Sequence, residues 1–422
     1  MILDAMAESL AKGEPLQVLI DGIKPATAYA YRLLYRVPGE GNWSQGPIRH
    51  FATQRRQGEG FTFMVQGDSH PERYPKMNLP ALYERTLRLV QTVRPDFLIC
   101  LGDDFSVDTL PEKTPAAIEG VYAKQVPYLS LADAPIFLVN GNHEQAAKAN
   151  LDGTADSLAV RVQNARNRNF PQPAPDRFYS GDSERVEHIG FLRDYYAWTW
   201  GDALFAVIDP YWHSDVAVDN RADGGSKRRD MWGITLGDAQ YDWLLNTLKS
   251  SNAKFKFVFA HHVLGTGRGG VECAPYYEWG GLDRNGENMF AEKRPGWPMP
   301  IHRLFVKYHV TAFFQGHDHI FAHQVLDGVT YQTAPVPADA NYALMNDDAY
   351  AAGEKLPGAG VIKVTVNGEK VRVDYLRSWM PEGETGGHRH GEVAFTYSLG
   401  RADNQTSFKR NAGTVGTQGV QQ

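Results

Sequence analysis

Cysteine is nearly missing. Two in 422 residues, Cys100 and Cys273, exclude a disulfide framework and a thiolate metal cluster. Cys100 lies inside the apolar run DFLICLG and reads as a small core residue. Long hydrophobic runs are missing too. No stretch is long and apolar enough to cross a bilayer, so no membrane partner is expected. The opening residues, MILDAMAESLAKGEPLQ, are acidic and have neither the basic n-region nor the apolar h-region of a signal peptide. Nor is there an excess of positive charge. A formal net charge of -6 gives no reason to expect a polyanionic partner, and no nucleic acid is expected.

The rest of the composition, 42% hydrophobic and 22% charged, is that of a globular protein with room for one large domain and one small one. Residues 17–52 read as β structure. QVLIDGI and AYAYRLLYRV alternate apolar and polar residues around the turn KPATA. The polar stretch QRRQGEG, residues 54–60, then reads as a linker.

Beyond it the texture changes. Five short apolar runs each end in a small residue followed by Asp, Asn or His: FTFMVQGDSH, DFLICLGDD, IFLVNGNHE, FKFVFAHH and VTAFFQGHDH. Runs this short and rich in Phe, Val and Ile suit strands buried on both faces. Helical patterns lie between several of them. ALYERTLRLVQTV places Leu82, Leu89 and Val93 near one face, and GDAQYDWLLNTLKSS stacks Tyr241, Leu244, Leu245 and Leu248. Strands alternating with helices predict an α/β fold with a mainly parallel sheet, with sites at the carboxyl ends of the strands. Seven of the nine tryptophans fall between Trp198 and Trp297, among loop-like segments near 210–235 and 264–300, and either pack those loops or wall the site. VIKVTVNGEKVRVDYL is a hairpin pattern with an Asn367-Gly368 turn, suited to a second sheet. From residue 399 the chain is polar and reads as a disordered tail.

The polar strand-end residues are Asp68, His70, Asp103, Asn142, His143, His261, His262, His317 and His319. Read singly, each has a plain alternative: the histidines as polar turn residues, Asp68, Asp103 and Asn142 as helix N-caps. Together they are oxygen and imidazole donors for hard or borderline divalent metals. One ion uses about four such groups, so this many suggest two ions roughly 3.5–4 Å apart sharing a carboxylate. In FFQGHDHIF, His317 and His319 would share a face if the segment were extended.

The series GDSH, LGDD, GNHE, AHH and GHDH resembles that of the calcineurin-like metallophosphoesterases, which include the purple acid phosphatases, in that family's order over about residues 61–323. The resemblance implies a four-layer αββα sandwich over residues 60–398. Residues 1–55 resemble part of the fibronectin-III-like module that precedes it in purple acid phosphatases. It further implies that Asp68, His70 and His319 hold one metal and Asn142, His261 and His317 a second, with Asp103 bridging. His143 would stand at the leaving group as electrostatic stabiliser or general acid, with Glu144 a candidate to orient it, and Asp318 would coordinate nothing. The implied cofactors are two divalent ions, Fe, Mn or Zn, and the implied partner is a small phosphorylated substrate. The implied reaction is phosphoester hydrolysis by a metal-bound hydroxide, on a monoester first and a diester as the alternative. A periplasmic or extracellular setting is favoured on the same ground.

There are departures. The tyrosine ligand of purple acid phosphatases has no counterpart, since Asp103 is followed by Asp104, Phe105 and Ser106, and His70 stands where that group has no histidine. The centre should be of the Asp-x-His type and not purple. HHVLG lacks the proline common after that histidine. His262 is expected to point back into the protein. Asp104 is either a support for a ligand or a solvated turn acid. His213, Arg268 and His323 are candidates for substrate contact with structural roles as alternatives, and GGHRHGEV reads as an exposed loop. A non-catalytic binding protein of this fold would show gaps in the ligand set, and none is visible.

Overall fold

The computed structural model describes residues 15–37, 39, 41–218, 231–264 and 267–400. The five apolar runs form strands whose alternate side chains face two different cores. In Phe61–Gln66, Phe61, Phe63 and Val65 point one way and Met64 the other. The same holds for Phe255, Phe257 and Phe259 against Val258, and for Ala312 and Phe314 against Phe313. A strand with apolar residues on both faces must be covered on both.

Two sheets meet that requirement. The first has six strands in the order Val393–Gly400, Lys370–Arg377, Gly360–Asn367, Phe61–Gln66, Phe97–Cys100 and Ile136–Leu138. The second has eight: Glu354–Leu356, Phe321–Leu326, Val329–Thr333, Ala312–Gln315, Phe255–Phe259, Ala203–Val207, Tyr196–Trp200 and Ser180–Gly181. Between them lies an aromatic core in which Phe205 meets Phe63, Phe97, Trp198 and Phe257 at ring separations of 5.0–5.4 Å. Helices Pro80–Val93, Pro115–Leu129 and Leu158–Asn169 cover the outer face of the first sheet, and Gly237–Ser250 and Ile301–Lys307 that of the second. The result is the four-layer αββα arrangement.

The sheets are mixed rather than mainly parallel. Phe61–Gln66, Phe97–Cys100 and Ile136–Leu138 run parallel in one, and Ala203–Val207, Phe255–Phe259, Ala312–Gln315 and Val329–Thr333 in the other, with antiparallel strands outside them. The five runs are thus divided between two sheets, and the 360–377 hairpin completes the first. Its two-residue loop is Gly368-Glu369, one residue later than an Asn-Gly turn, with Gly368 at φ 59°.

Other expectations shift. Helix Pro80–Val93 buries Leu82, Tyr83, Thr86, Leu87 and Val90, while Leu89 and Val93 are half-buried. The face turns because Tyr83 and Thr86 find partners inside: the Tyr83 hydroxyl accepts from Gln66 at 3.1 Å, and Thr86 donates to the Pro337 carbonyl at 2.7 Å. Helix Pro115–Leu129 contains Pro127, and Leu158–Asn169 is rich in Arg and Asn, so neither has a clean amphipathic signature. Residues 17–23 form no strand. The amino-terminal strands are Ala28–Tyr31 with Arg49–Ala52 and Leu34–Tyr35 with Ser44–Gln45. The supposed linker is tied down instead, by Arg55 to Asp96 at 2.6 Å and by the Gly58 N–H to Asp202 at 2.9 Å. Leu399 and Gly400 belong to the last strand, and the remainder of the expected tail, 401–422, lies outside the described residues.

Candidate metal centre

All five motifs leave the carboxyl ends of parallel strands, and the packing of the two sheets brings those ends together. Asp68 follows Gln66, Asp103 follows Cys100, and Asn142 and His143 follow Leu138 in the first sheet. His261 follows Phe259, and His317 and His319 follow Gln315 in the second. All are buried.

Asp68 Oδ2 lies 3.0 Å from His319 Nε2 and 3.6 Å from His70 Nε2, and the two imidazole nitrogens are 3.1 Å apart. Across the site, His261 Nε2 is 3.0 Å from Asn142 Oδ1 and 3.2 Å from His317 Nδ1. Asp103 Oδ2 stands between the groups, 3.2 Å from His261 Nε2, 3.7 Å from His70 Nε2 and 3.7 Å from His143 Nε2. The seven expected ligands therefore converge as two sets around one carboxylate.

The donor set fits cations. Each of two rings has one nitrogen engaged away from the centre: His261 Nδ1 with the Leu101 carbonyl at 2.7 Å, and His70 Nδ1 with Glu72 at 2.9 Å. The other nitrogen of His261 faces Asn142 Oδ1 and Asp103 Oδ2, and that of His70 faces His319 Nε2 with the Asp68 and Asp103 carboxylates just beyond, so a proton or a metal ion must lie between. Burial lowers the pKa of both rings, yet carboxylates outweigh it: Asp68 and Glu72 push His70 up to about 9, and Asp103 and Asp68 push His261 up to about 10. Burial would raise Asp68 and Asp103, but His261 and its neighbours hold both well below the usual carboxylate range. Burial keeps His317 and His319 neutral, the latter at about 4. Asp68 and Asp103 are thus ionised and His317 and His319 neutral, as a divalent ion requires, and an ion would displace the protons that His70 and His261 hold in its absence.

The loops are held under strain. His70, Asp103, His317 and His319 have φ of 43°, 57°, 67° and 61°, the left-handed region that bulky residues avoid. The GHDH segment is therefore not extended, and His317 and His319 diverge, one to His261 and the other to Asp68. Hydrogen bonds across the loops compensate: the His317 N–H donates to Asp68 at 2.8 Å and the His143 N–H to Asp103 at 2.9 Å. Two motif glycines permit this approach. A Cβ on Gly141 would collide with the Asp103 carboxylate, and one on Gly316 with that of Asp68.

Three residues of the site carry no sequence signal of their own. His143 Nδ1 is 2.9 Å from the Asp108 carboxylate, and its Nε2 is 3.0 Å from Arg73 Nη2, while Glu72 backs His70. Asp108, not Glu144, orients the His143 ring. Glu144 instead accepts the N–H groups of Gly141 at 2.8 Å and Asp104 at 3.0 Å, binding two motif loops together. Asp104 is buried, and burial with the Asp68 and Asp103 charges lifts its pKa to about 7. Asp318 turns away, accepting from Tyr350 at 2.6 Å and from the Gly269 N–H at 2.8 Å. Arg268 donates to the His317 carbonyl at 2.7 Å.

Of the other candidates, His262 borders the centre and the rest lie away from it. The His262 ring is 4.8 Å from that of His317 and stacks with Tyr211. His323 is a core residue 4.0 Å from the Tyr397 ring. His213 pairs with Asp194 at 2.9 Å, away from the centre. His388 of GGHRHGEV stacks on Trp379. The seven clustered tryptophans pack in apolar cores and do not wall the site. Parts of the two long segments, 219–230 and 265–266, lie outside the described residues.

Two carboxylate-histidine sets at the mouth of an αββα sandwich form a candidate metal centre. Residues 61–321 match the calcineurin-like phosphoesterase family, and the chain belongs to it. Among solved structures, it resembles PhoD with 15% identity and a TM-score of 0.60, over 95% of this chain and 80% of that one. It also resembles the purple acid phosphatase PPD1 from seeds of yellow lupin (Lupinus luteus), with 14% identity and a TM-score of 0.54. That match covers 90% of this chain but spans only 60% of the lupin protein. At such identities the likeness is one of fold. No curated protein matches the sequence.

Proposed function

We propose that the protein is a phosphomonoesterase with a dinuclear centre. Asp68, His70 and His319 would hold one divalent ion, Asn142, His261 and His317 the other, and Asp103 would bridge them. Bound there, two ions supply charge neutralisation for the phosphoryl oxygens and acidify a coordinated water. The observation that carries this reading is Asp103 Oδ2, set between two groups of imidazole and carboxylate donors.

The chain's own residues divide the remaining work. Arg73, part-exposed at the rim beside His143, would meet the non-bridging oxygens of a dianionic ester. His143, held through Nδ1 by Asp108, would stabilise the departing alkoxide, or donate a proton from Nε2 once Arg73 turns from that nitrogen to the phosphoryl oxygens. The buried Asp104 and Glu144 would keep the ligand loops in register. Arg73 adds positive charge where a monoester carries more negative charge than a diester, which favours the monoester.

The test is metal analysis with paired assays. The purified protein should carry close to two divalent ions per chain and hydrolyse a chromogenic phosphate monoester faster than the matching diester. Metal-free protein that cannot be reactivated by zinc, manganese or iron would defeat the proposal. Faster diester turnover would keep the centre and move the substrate class to phosphodiesters.

A further inference from the structure

Outside the centre, the described residues contain one more convergence of ligating groups. Asp182 follows the short strand Ser180–Gly181, Asp194 precedes Tyr196–Trp200, and His213 lies beyond Ala203–Val207. These strands pair antiparallel, with Tyr196 opposite both Gly181 and Val207, so the three side chains meet at one end of the second sheet. One ligating atom from each lies within 4.8 Å of the other two.

The hydrogen-bond inventory leaves the group incomplete. Asp194 uses Oδ1 on the Tyr195 N–H at 2.8 Å and Oδ2 on His213 Nε2 at 2.9 Å. Asp182 uses Oδ1 on the Glu184 N–H at 2.8 Å, while its Oδ2 is buried without a partner. Asp182 is 3% exposed and Asp194 1%. Two buried carboxylates stand beside one imidazole that only Asp194 engages, and among the described residues no lysine or arginine pairs with either. A buried carboxylate oxygen without a donor is costly, and a cation removes that cost.

We propose that Asp182, Asp194 and His213 form a second cation site, separate from the Asp103 centre, for one borderline divalent ion such as zinc. Two carboxylates with one imidazole suit such an ion better than calcium or magnesium, which prefer oxygen alone. The ion would tie the 209–214 segment to the sheet. That segment carries Asp209, which accepts from Asn140 at 2.5 Å, two residues before Asn142. The site is thus a brace for the backbone that presents Asn142 and His143. The competing account is a proton shared between the carboxylates, with no ion.

Full-length wild type, His213→Ala and Asp182→Asn are equilibrated with micromolar zinc, dialysed and analysed for metal. Each variant should hold one zinc fewer per chain than wild type. Asp103→Asn, which alters the other centre, should still lose one further zinc when combined with His213→Ala, so the count stands whether or not the dinuclear reading does. Crystals of dialysed wild type need no variant to fold, and their anomalous difference map should show zinc roughly 2.0–2.2 Å from the three donors. Equal zinc in all proteins, or no peak between these residues, would overturn the site.

Discussion

His143 is the residue whose surroundings say most about chemistry. Its ring is 3.7 Å from Asp103 yet engaged on both nitrogens, by Asp108 and Arg73, so it borders the ligands without needing to be one. His143→Ala should lower kcat by about 10²–10⁴, the range for a positioned acid or base, while metal content measured on the same sample stays near wild type. Asp108→Asn should lower kcat less and leave metal content unchanged, because the ring is kept but its orientation is not. Loss of metal in either variant would place His143 among the ligands.

At the scale of loops and strands, close approach is the controlling fact. The loop carrying Gly316 lies against Asp68, and Gly316→Ala should reduce bound metal to about half or less in metal analysis, with the fold retained by circular dichroism. A neighbouring control such as Val325→Ala, on an exposed strand position, should do neither. Strand Phe321–Leu326 offers a different test. Burial holds His323 neutral, its pKa falling from 6.5 to about 4, with Glu354 opposing weakly. Below about pH 6.5 the unfolded chain takes up a proton that the fold refuses. The stability from this group is therefore whole above that pH and lost progressively as pH falls toward 4. Urea midpoints of metal-free protein should drop more between pH 7 and 4.5 for wild type than for His323→Gln.

The whole molecule is held by the aromatic layer between its sheets. Phe205 touches rings from both sheets, so Phe205→Ala should cost about 3–5 kcal/mol in urea unfolding, through lost transfer energy and the cavity left behind. Since each sheet supplies residues of the proposed centre, the same substitution should weaken metal retention more than a truncation in the outer helical layer, such as Leu248→Ala.

Local chemistry decided much of this protein. Apolar runs bounded by Gly-Asp, Gly-Asn, Gly-His or Ala-His specify buried strands ending in donors, because short runs of Phe, Val and Ile favour covered strands and donor-bearing loops leave their ends. The residues by themselves offered nine strand-end donors, and the resemblance to the metallophosphoesterases implied which seven of them would be ligands. Tertiary structure alone decided how the five runs divide between two sheets, since a strand buried on both faces reads the same in either. It also chose Asp108 over Glu144 as the partner of His143 and Tyr83 over Leu89 for the buried helix face, and it joined Asp182, Asp194 and His213. These outcomes depend on where remote backbone and polar atoms lie in space, and periodicity and spacing carry no record of that.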